Sequence, residues 1–320
     1  MSDSGAVDCW LPSRRFVCGS GPCHPDYLGV DCAADKTRET GWRLIIERFP
    51  MKIVKALYTA LNRGFSPVWW VRKFLLVIFG FREYCERKRH WKMPQGSSNE
   101  DVLTLEKEGF LLIKFTGSEV ARVIDYCLQL SEKLDPLNEP PTQSEGKDFW
   151  RLLVAGDGVK DHPILLNFAR FYRWKALASS YLGQEAILSN VTLMKSYPVQ
   201  RSPKHSQRWH LDADDSKNLV FYLYINDVTQ HNGPFELIPK SLIKPIIWPR
   251  YFRKYAMSDE EIKKYVRTLT PKSLVGTSGA MFACDTATTY HRGSRCESSV
   301  RLAFAFRYQT FTGLYPFKAL

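Results

Sequence analysis

Two histidines and an aspartate have the residue types and the order needed to hold one metal ion. His210 and Asp212 lie two residues apart in Trp209-His210-Leu211-Asp212, and His291 follows much later in the chain. On an extended segment, residues two apart point to the same side, so an imidazole nitrogen and a carboxylate oxygen can meet one cation. Two histidines and one carboxylate form the facial triad of non-haem Fe(II) oxygenases, which leaves positions open for an oxo-acid and dioxygen.

Arg301, which follows His291 in the sequence, offers a second group that could take part in the chemistry. It follows His291 by ten residues and lies among apolar residues. A guanidinium in such surroundings is costly to bury unless it is paired. Its fork fits the distal carboxylate of 2-oxoglutarate in a bidentate manner. The alternatives are an internal ion pair or a position at a strand end, and beside the triad we favour the cosubstrate role.

Regular elements that could position these residues begin near residue 100. We predict helices over 103–108, over 118–134 with Ser118 as the N-cap, and from His162-Pro163 to about Ala178, and a mostly helical insertion over 241–270. We predict strands over 109–115, 186–197, 219–225, 235–238, 279–284 and 300–310. Helices first and strands later indicate an α+β domain whose β part is a sandwich or barrel.

The first hundred residues differ in character from the rest. We divide the chain into a loose arm (1–40), a basic, aromatic helical extension (41–95) and a main domain (96–320). Residues 51–92 hold ten Lys/Arg against two acids, which is +8 of the net charge of +12. Such a segment attracts anionic partners, a membrane surface above all, although a merely solvated helix face has the same composition.

Composition also narrows the cellular setting and the partners. The chain has eight cysteines but no secretory signal and no apolar run long enough to span a membrane, so we expect a cytoplasmic protein with reduced thiols. Peripheral membrane contact through residues 51–92 is compatible with this expectation. We do not expect nucleic acid as a partner, because the positive charge lies in an accessory segment and no nucleic-acid motif is present.

Four pieces of sequence, in order, carry a resemblance to a known family. They are Leu105–Ile113, Trp209–Asp212, Tyr224–Leu242 and Ser278–Arg301. In order and spacing, residues 101–310 resemble the phytanoyl-CoA dioxygenase-like family of Fe(II)- and 2-oxoglutarate-dependent oxygenases. Residues 1–100 have no counterpart in the family pattern, and its usual Pro-Gly-Ser-His piece reads Pro239-Lys240-Ser241-Leu242 here.

The resemblance implies a fold, a site and a reaction. The fold is a double-stranded β-helix, or jelly roll, with flanking helices. The implied metal ligands are His210, Asp212 and His291, with Arg301 on the carboxylate of 2-oxoglutarate and Lys195 and Gln207 as further candidates for holding it. The implied reaction consumes O2 and 2-oxoglutarate, with ascorbate as a supporting reductant, and oxidises an unactivated C–H of a small-molecule or lipid-like substrate with release of succinate and CO2.

Some alternatives stay open at this point. The triad could hold zinc or manganese in a hydrolase or isomerase, which leaves Arg301 unexplained. The fold could also serve a metal-binding, non-oxygenase or membrane-associated interaction protein. The carboxylate at Asp212 favours hydroxylation, desaturation or cyclisation over halogenation, for which a small residue replaces it in related enzymes. Asp285 is a candidate for orienting His291.

Overall fold

A computed structural model of the chain describes most of the main domain. The described residues are 99–115, 117–141, 148–212, 215, 217–244, 256–293 and 295–310. The arm (1–40) and the helical extension (41–95) lie outside the described residues. Their predicted structure, the predicted domain boundaries and the membrane contact through residues 51–92 therefore stay predictions.

In the described part of the chain, four helices of seven residues or more precede or interrupt the first strands. They are α1 (Asn99–Glu108), α2 (Ser118–Leu134), α3 (Pro163–Ala169) and α4 (Tyr172–Leu182). In α2 the buried residues recur every three or four positions, which is the period of one helix face. Gly183 ends α4 in the left-handed conformation, with φ of 67°. In the part of the chain that the structure describes, no helix is long and apolar enough to cross a membrane.

Two helix predictions need correction. The N-cap of α2 is Gly117 and not Ser118, which is the first helical residue. The helix predicted from Pro163 to about Ala178 is two helices, α3 and α4, because Phe171 between them is extended. The Phe171 ring lies 5.9 Å from Phe115 and 5.8 Å from Trp174 between ring centroids, so aromatic packing breaks the helix where the local pattern would continue it.

Among the described residues, nine strands form two antiparallel sheets. The strands are β1 (Phe110–Ile113), β2 (Trp150–Val154), β3 (Ile187–Ser196), β4 (Asn218–Tyr224), β5 (Phe235–Leu237), β6 (Lys272–Leu274), β7 (Met281–Cys284), β8 (His291–Arg292) and β9 (Arg301–Gln309). The large sheet has the order β1-β7-β4-β9-β3-β2, and the small sheet has the order β6-β5-β8. An isolated bridge between His210 and His291 sets the segment around His210 beside β8, at the edge of the small sheet.

From β3 onward the described chain passes back and forth between the two sheets, apart from β5 and β6, which follow each other in the small sheet. β3 lies in the large sheet, the His210 segment beside the small sheet, β4 in the large sheet, and β5 and β6 in the small one. β7, β8 and β9 then continue the alternation. This winding is a double-stranded β-helix, and the predicted α+β class with a jelly-roll core and flanking helices is confirmed.

The prediction that residues 241–270 form a mostly helical insertion is wrong for the described part of this segment. Residues 256–270 contain one helix, α5 (Asp259–Ile262), of a single turn. Ser258 caps it in a capping box with Glu261. On either side the backbone pairs with strand-like segments, as in the bridge between Ile243 and Val266. These pairings compete with helix for the same backbone groups, and composition alone does not reveal them.

The two faces of the large sheet have different roles. On β9 the even-numbered residues Leu302, Phe304, Phe306 and Tyr308 belong to the core shared with the helices. The odd-numbered residues point to the opposite face, because side chains alternate along a strand. That opposite face looks toward the small sheet, and the space between the two sheets holds the candidate site.

Candidate metal centre

Backbone pairing brings the two histidines directly opposite each other. The His210 amide donates to the His291 carbonyl at 3.1 Å, and the His291 amide donates to the His210 carbonyl at 3.0 Å. The Asp212 amide donates to the Thr286 carbonyl at 2.8 Å, in the turn that precedes β8. Residues separated by about eighty positions in sequence thereby share one corner of the jelly roll.

The ligand atoms of the three side chains converge on one point. One atom of each residue lies within 4.8 Å of the corresponding atoms of the other two, in the single such group found among the described residues. Both imidazole Nε2 atoms lie 3.9 Å from Asp212 Oδ1. The two rings are 4.3 Å apart between centroids. The histidine side chains are 6% and 5% exposed and that of Asp212 is 16% exposed, so a bound ion would be largely shielded from water.

Backbone carbonyls select the histidine tautomers that a metal requires. His210 Nδ1 lies 2.9 Å from the Arg208 carbonyl oxygen, and His291 Nδ1 lies 3.0 Å from the Thr289 carbonyl oxygen. A carbonyl can only accept, so each Nδ1 carries the proton and each Nε2 keeps its lone pair for the shared point. The Thr289 carbonyl orients the His291 ring directly, and the role of Asp285 in orienting His291 stays a prediction.

Local electrostatics keep Asp212 and His291 in the protonation states that metal binding needs. Burial alone would raise the pKa of Asp212, but the charge of Arg307 and the two neighbouring histidines outweigh burial and hold the pKa well below its ordinary value. Burial, with the nearby His210, lowers the pKa of His291 to about 3. At neutral pH the site therefore presents a carboxylate and a neutral His291 imidazole.

A cleft of about 260 Å³ surrounds the three side chains. The large sheet contributes alternate residues to its wall, including Asn190 and Thr192 of β3 and Tyr222 of β4. Ala305 of β9 also lines it, and its small side chain leaves room at that point of the wall. Trp150 and Leu152 of the edge strand β2 supply apolar surface to the cleft.

Arg301 lies in this same cleft, at the first position of β9. It is 5% exposed, and its guanidinium donates to the Gly233 carbonyl oxygen and, at 3.3 Å, to Ser196 Oγ. Gly293 packs against it, since a Cβ built at Gly293 would lie 3.2 Å from Arg301 Nη1. The structure thus places Arg301 beside the triad, and its contact with a cosubstrate stays a prediction.

Lys195 and Gln207 do not reach the cleft, which corrects their assignment as cosubstrate ligands. Lys195 is an odd-numbered residue of β3 and points to the helix face, where its ammonium lies 2.7 Å from Asp135. Gln207 is buried, and its side-chain oxygen accepts from the Lys204 amide at 3.1 Å as part of a capping box. On β3 the residues that line the cleft are the even-numbered ones, Asn190 among them.

Arg307 is a cleft residue that sequence reasoning missed. Its Nη2 donates to Asp212 Oδ2 at 2.9 Å, whereas the two histidines lie nearest to Oδ1. A signal for it existed, because Arg307 lies six residues after Arg301 on one strand and must face the same way. The third arginine of the cleft, Arg292, pairs with the carboxylates of Glu236 and Asp259.

Several solved structures are similar to this chain at low sequence identity. No protein-family profile and no curated protein matches the sequence. Among solved structures, the chain is similar to EctD from S. alaskensis with 2-oxoglutarate and 5-hydroxyectoine, at 16% identity and a TM-score of 0.49, covering 71% of this chain and 82% of that one. It is also similar to the non-heme alpha ketoglutarate dependent carbocyclase SnoK from nogalamycin biosynthesis, at 17% identity and a TM-score of 0.48, covering 68% and 85%.

A further similar structure is HygX from Streptomyces hygroscopicus with nickel and 2-oxoglutarate bound, at 16% identity and a TM-score of 0.47, covering 68% of this chain and 88% of that one. Similarity at this level does not by itself identify a reaction. The double-stranded β-helix is established by the strand order of the chain itself, and its function has to be argued from the site.

Proposed function

We propose that this chain is an Fe(II)- and 2-oxoglutarate-dependent oxygenase that hydroxylates an unactivated C–H of a small-molecule or lipid-like substrate. The observation that carries the proposal is the convergence of His210, Asp212 and His291 on one point in a cleft that Arg301 also lines. Two of the similar solved structures are described with 2-oxoglutarate, and one of these also with nickel.

The donor set fits ferrous iron. Two neutral imidazoles and one carboxylate on one side of an ion suit Fe(II) and leave other coordination positions for exchangeable ligands. When bound, the iron would supply O2 activation coupled to the oxidative decarboxylation of 2-oxoglutarate to succinate and CO2. A structural zinc site would in general have four protein ligands, whereas the described residues offer three here.

The protein's own residues would orient the reactants and control water. Arg301 would hold the distal carboxylate of 2-oxoglutarate with its planar fork, which a lysine cannot imitate. Arg307 would keep Asp212 ionised and fixed in orientation. The buried rings around the site, including Phe235 stacked 5.3 Å from His291 between centroids, would limit the access of bulk water to the reacting groups.

The cleft supports a substrate with both polar and apolar parts. Asn190 and Thr192 offer hydrogen bonds, while Trp150, Leu152 and Met194 offer apolar contact. This mixture is compatible with a small polar metabolite that carries a hydrocarbon portion. The proposed attraction of residues 51–92 to an anionic membrane would bring the chain to a surface that contains lipid-like molecules.

Succinate formation by the purified full-length chain tests the proposal. The protein is loaded with Fe(II) and supplied with 2-oxoglutarate, O2 and ascorbate, and succinate is measured with and without candidate substrates. We expect wild type to form succinate, His210→Ala to form none, and His231→Ala to match wild type, because His231 is an exposed residue that pairs with Glu297. Wild type that forms no more succinate than His210→Ala would reject the oxygenase and leave a metal-binding, non-oxygenase protein.

A further inference from the structure

The turn between β7 and β8 contacts two of the three candidate metal ligands through its backbone. The Thr286 carbonyl accepts from the Asp212 amide at 2.8 Å, and the Thr289 carbonyl accepts from His291 Nδ1 at 3.0 Å. Thr286 and Thr289 are fully buried. Any change in the shape of this turn would therefore move a ligating carboxylate and a ligating imidazole together.

Asp285 holds the turn in shape from its first position. Its carboxylate accepts from the Ala287 amide at 3.0 Å and from the Thr288 hydroxyl at 2.6 Å. Its own carbonyl accepts from the Thr289 amide at 2.9 Å. Aspartate stabilises turns in this way, by bonding to backbone groups that follow it by two or three positions.

Two other elements anchor the same carboxylate. The Tyr181 hydroxyl of α4 donates to it at 2.7 Å, and the Asn218 amide at the start of β4 donates to it at 3.3 Å. Burial and the adjacent Asp285 raise the pKa of Tyr181 well above its ordinary value, so its hydroxyl remains a donor. Asp285 is fully buried, and its two oxygens accept four hydrogen bonds from three parts of the fold.

We propose that Asp285 is a positioning residue for the metal site, which it serves by fixing the turn that orients Asp212 and His291. It does not touch the ligand atoms and acts through the carbonyls of Thr286 and Thr289. This inference rests on the proposed metal site but not on the identity of the substrate. Partners that orient metal ligands from outside typically change metal affinity by roughly 10- to 100-fold when they are removed.

Two substitutions at Asp285 separate positioning from general damage. In Asp285→Asn, the amide oxygen can stay opposite the backbone amides of Ala287 and Asn218, which can only donate. The amide nitrogen then faces the hydroxyls of Tyr181 and Thr288, which can rotate and accept. In Asp285→Ala all four bonds are lost. We therefore expect Asp285→Ala to weaken metal binding by at least about 10-fold and Asp285→Asn to recover most of that loss.

The chain contains a matched control on the other face of the large sheet. Asp135 is also buried and accepts from the Tyr197 hydroxyl at 2.7 Å, the same distance as between Tyr181 and Asp285. The Asp135 group is bonded to Lys195 and Arg151 and not to the candidate ligands. Tyr197→Phe and Tyr181→Phe each remove one hydroxyl from a buried aspartate, and only the second lies next to the ligand turn.

The experiment titrates each full-length, metal-stripped protein with Mn(II) in the presence of 2-oxoglutarate and follows free Mn(II) by its EPR signal. The thermal midpoint of the metal-free protein is measured in parallel. We expect Asp285→Ala to weaken Mn(II) binding most, Tyr181→Phe less and Asp285→Asn least. We expect Tyr197→Phe to bind Mn(II) within about twofold of wild type, although its thermal midpoint falls by about as much as that of Tyr181→Phe.

Wild-type affinity in Asp285→Ala, or an equal loss in Tyr181→Phe and Tyr197→Phe, would overturn the positioning role. If Asp285→Ala does not fold, the pair Tyr181→Phe and Tyr197→Phe decides the question. Wild type that binds no Mn(II) would reject the metal site and this inference together. If wild type binds Mn(II) but makes no succinate, the proposed oxygenase is rejected. The Mn(II) affinities of the variants then still decide whether Asp285 positions the metal site.

Discussion

The burial of His291 in its neutral form makes the metal-free protein less stable in weak acid. Burial lowers the pKa of this imidazole from 6.5 to about 3. Between these two values the unfolded chain binds a proton at His291 and the folded chain does not. Stability therefore falls as the pH falls through this window, because protons favour the state that binds more of them.

The size of the effect follows from the two pKa values. With a pKa of 6.5 in the unfolded chain and about 3 in the folded chain, His291 hardly changes the free energy of unfolding at pH 7. At pH 5 the difference in proton binding corresponds to about 2 kcal/mol, at 1.36 kcal/mol for each pKa unit. Asp212 adds nothing to the slope in this window, since its lowered pKa shifts stability only below its ordinary value of 3.8.

Urea unfolding of the chelator-treated protein at pH 7, 6 and 5 measures this slope. His291→Gln serves as the comparison, because glutamine does not titrate. We expect the difference in unfolding free energy between wild type and His291→Gln to shift by about 2 kcal/mol against wild type from pH 7 to pH 5. A difference that stays constant over this range would refute the reasoning that the imidazole is buried neutral.

Three further predictions concern the surroundings of the site. Arg301→Lys keeps the charge but loses the bidentate fork. The KM for 2-oxoglutarate in succinate assays should therefore rise by about 10-fold with a smaller change in kcat, and an unchanged KM would contradict the cosubstrate role. Gly233 has φ of 68°, and a Cβ there would lie 2.7 Å from the Cys296 backbone nitrogen. Gly233→Ala should therefore lower the unfolding free energy in urea by roughly 1–3 kcal/mol, and wild-type stability would contradict this clash. Ser258→Ala should cost about 1 kcal/mol in thermal unfolding through loss of the α5 capping box, and no loss would show that the turn is held by tertiary contacts alone.

The candidate metal ligands could be found from the sequence because their signal is local and chemical. His210 and Asp212 are two apart on an extended segment, and residue type restricts what such a pair can do. The strands that carry the site were also predictable, since runs such as Leu219–Ile225 are apolar and aromatic over the length of a strand. Short strands were harder, and β2, β6 and β8 were missed because none of them has a long apolar run.

The face of the sheet to which each side chain points was less predictable than the position of the strand. Lys195 and Asn190 lie on the same strand, but only a known partner strand tells which parity faces the cleft. A shift of one residue sends every side chain to the opposite face, so Lys195 was assigned to the wrong side. Asp285 was noticed for its position before His291, but its action through the backbone of a turn requires coordinates.

The anaerobic titration of the metal-free protein with Fe(II) in the presence of 2-oxoglutarate tests the central claim most directly. A 2-oxo acid chelated to Fe(II) gives a visible charge-transfer absorption, which requires both molecules in one site. We predict that wild type develops this absorption to saturation at one Fe(II) per chain, and that His291→Ala does not develop it. An absorption absent from wild type, or equally strong in His291→Ala, would contradict a single iron site built from His210, Asp212 and His291.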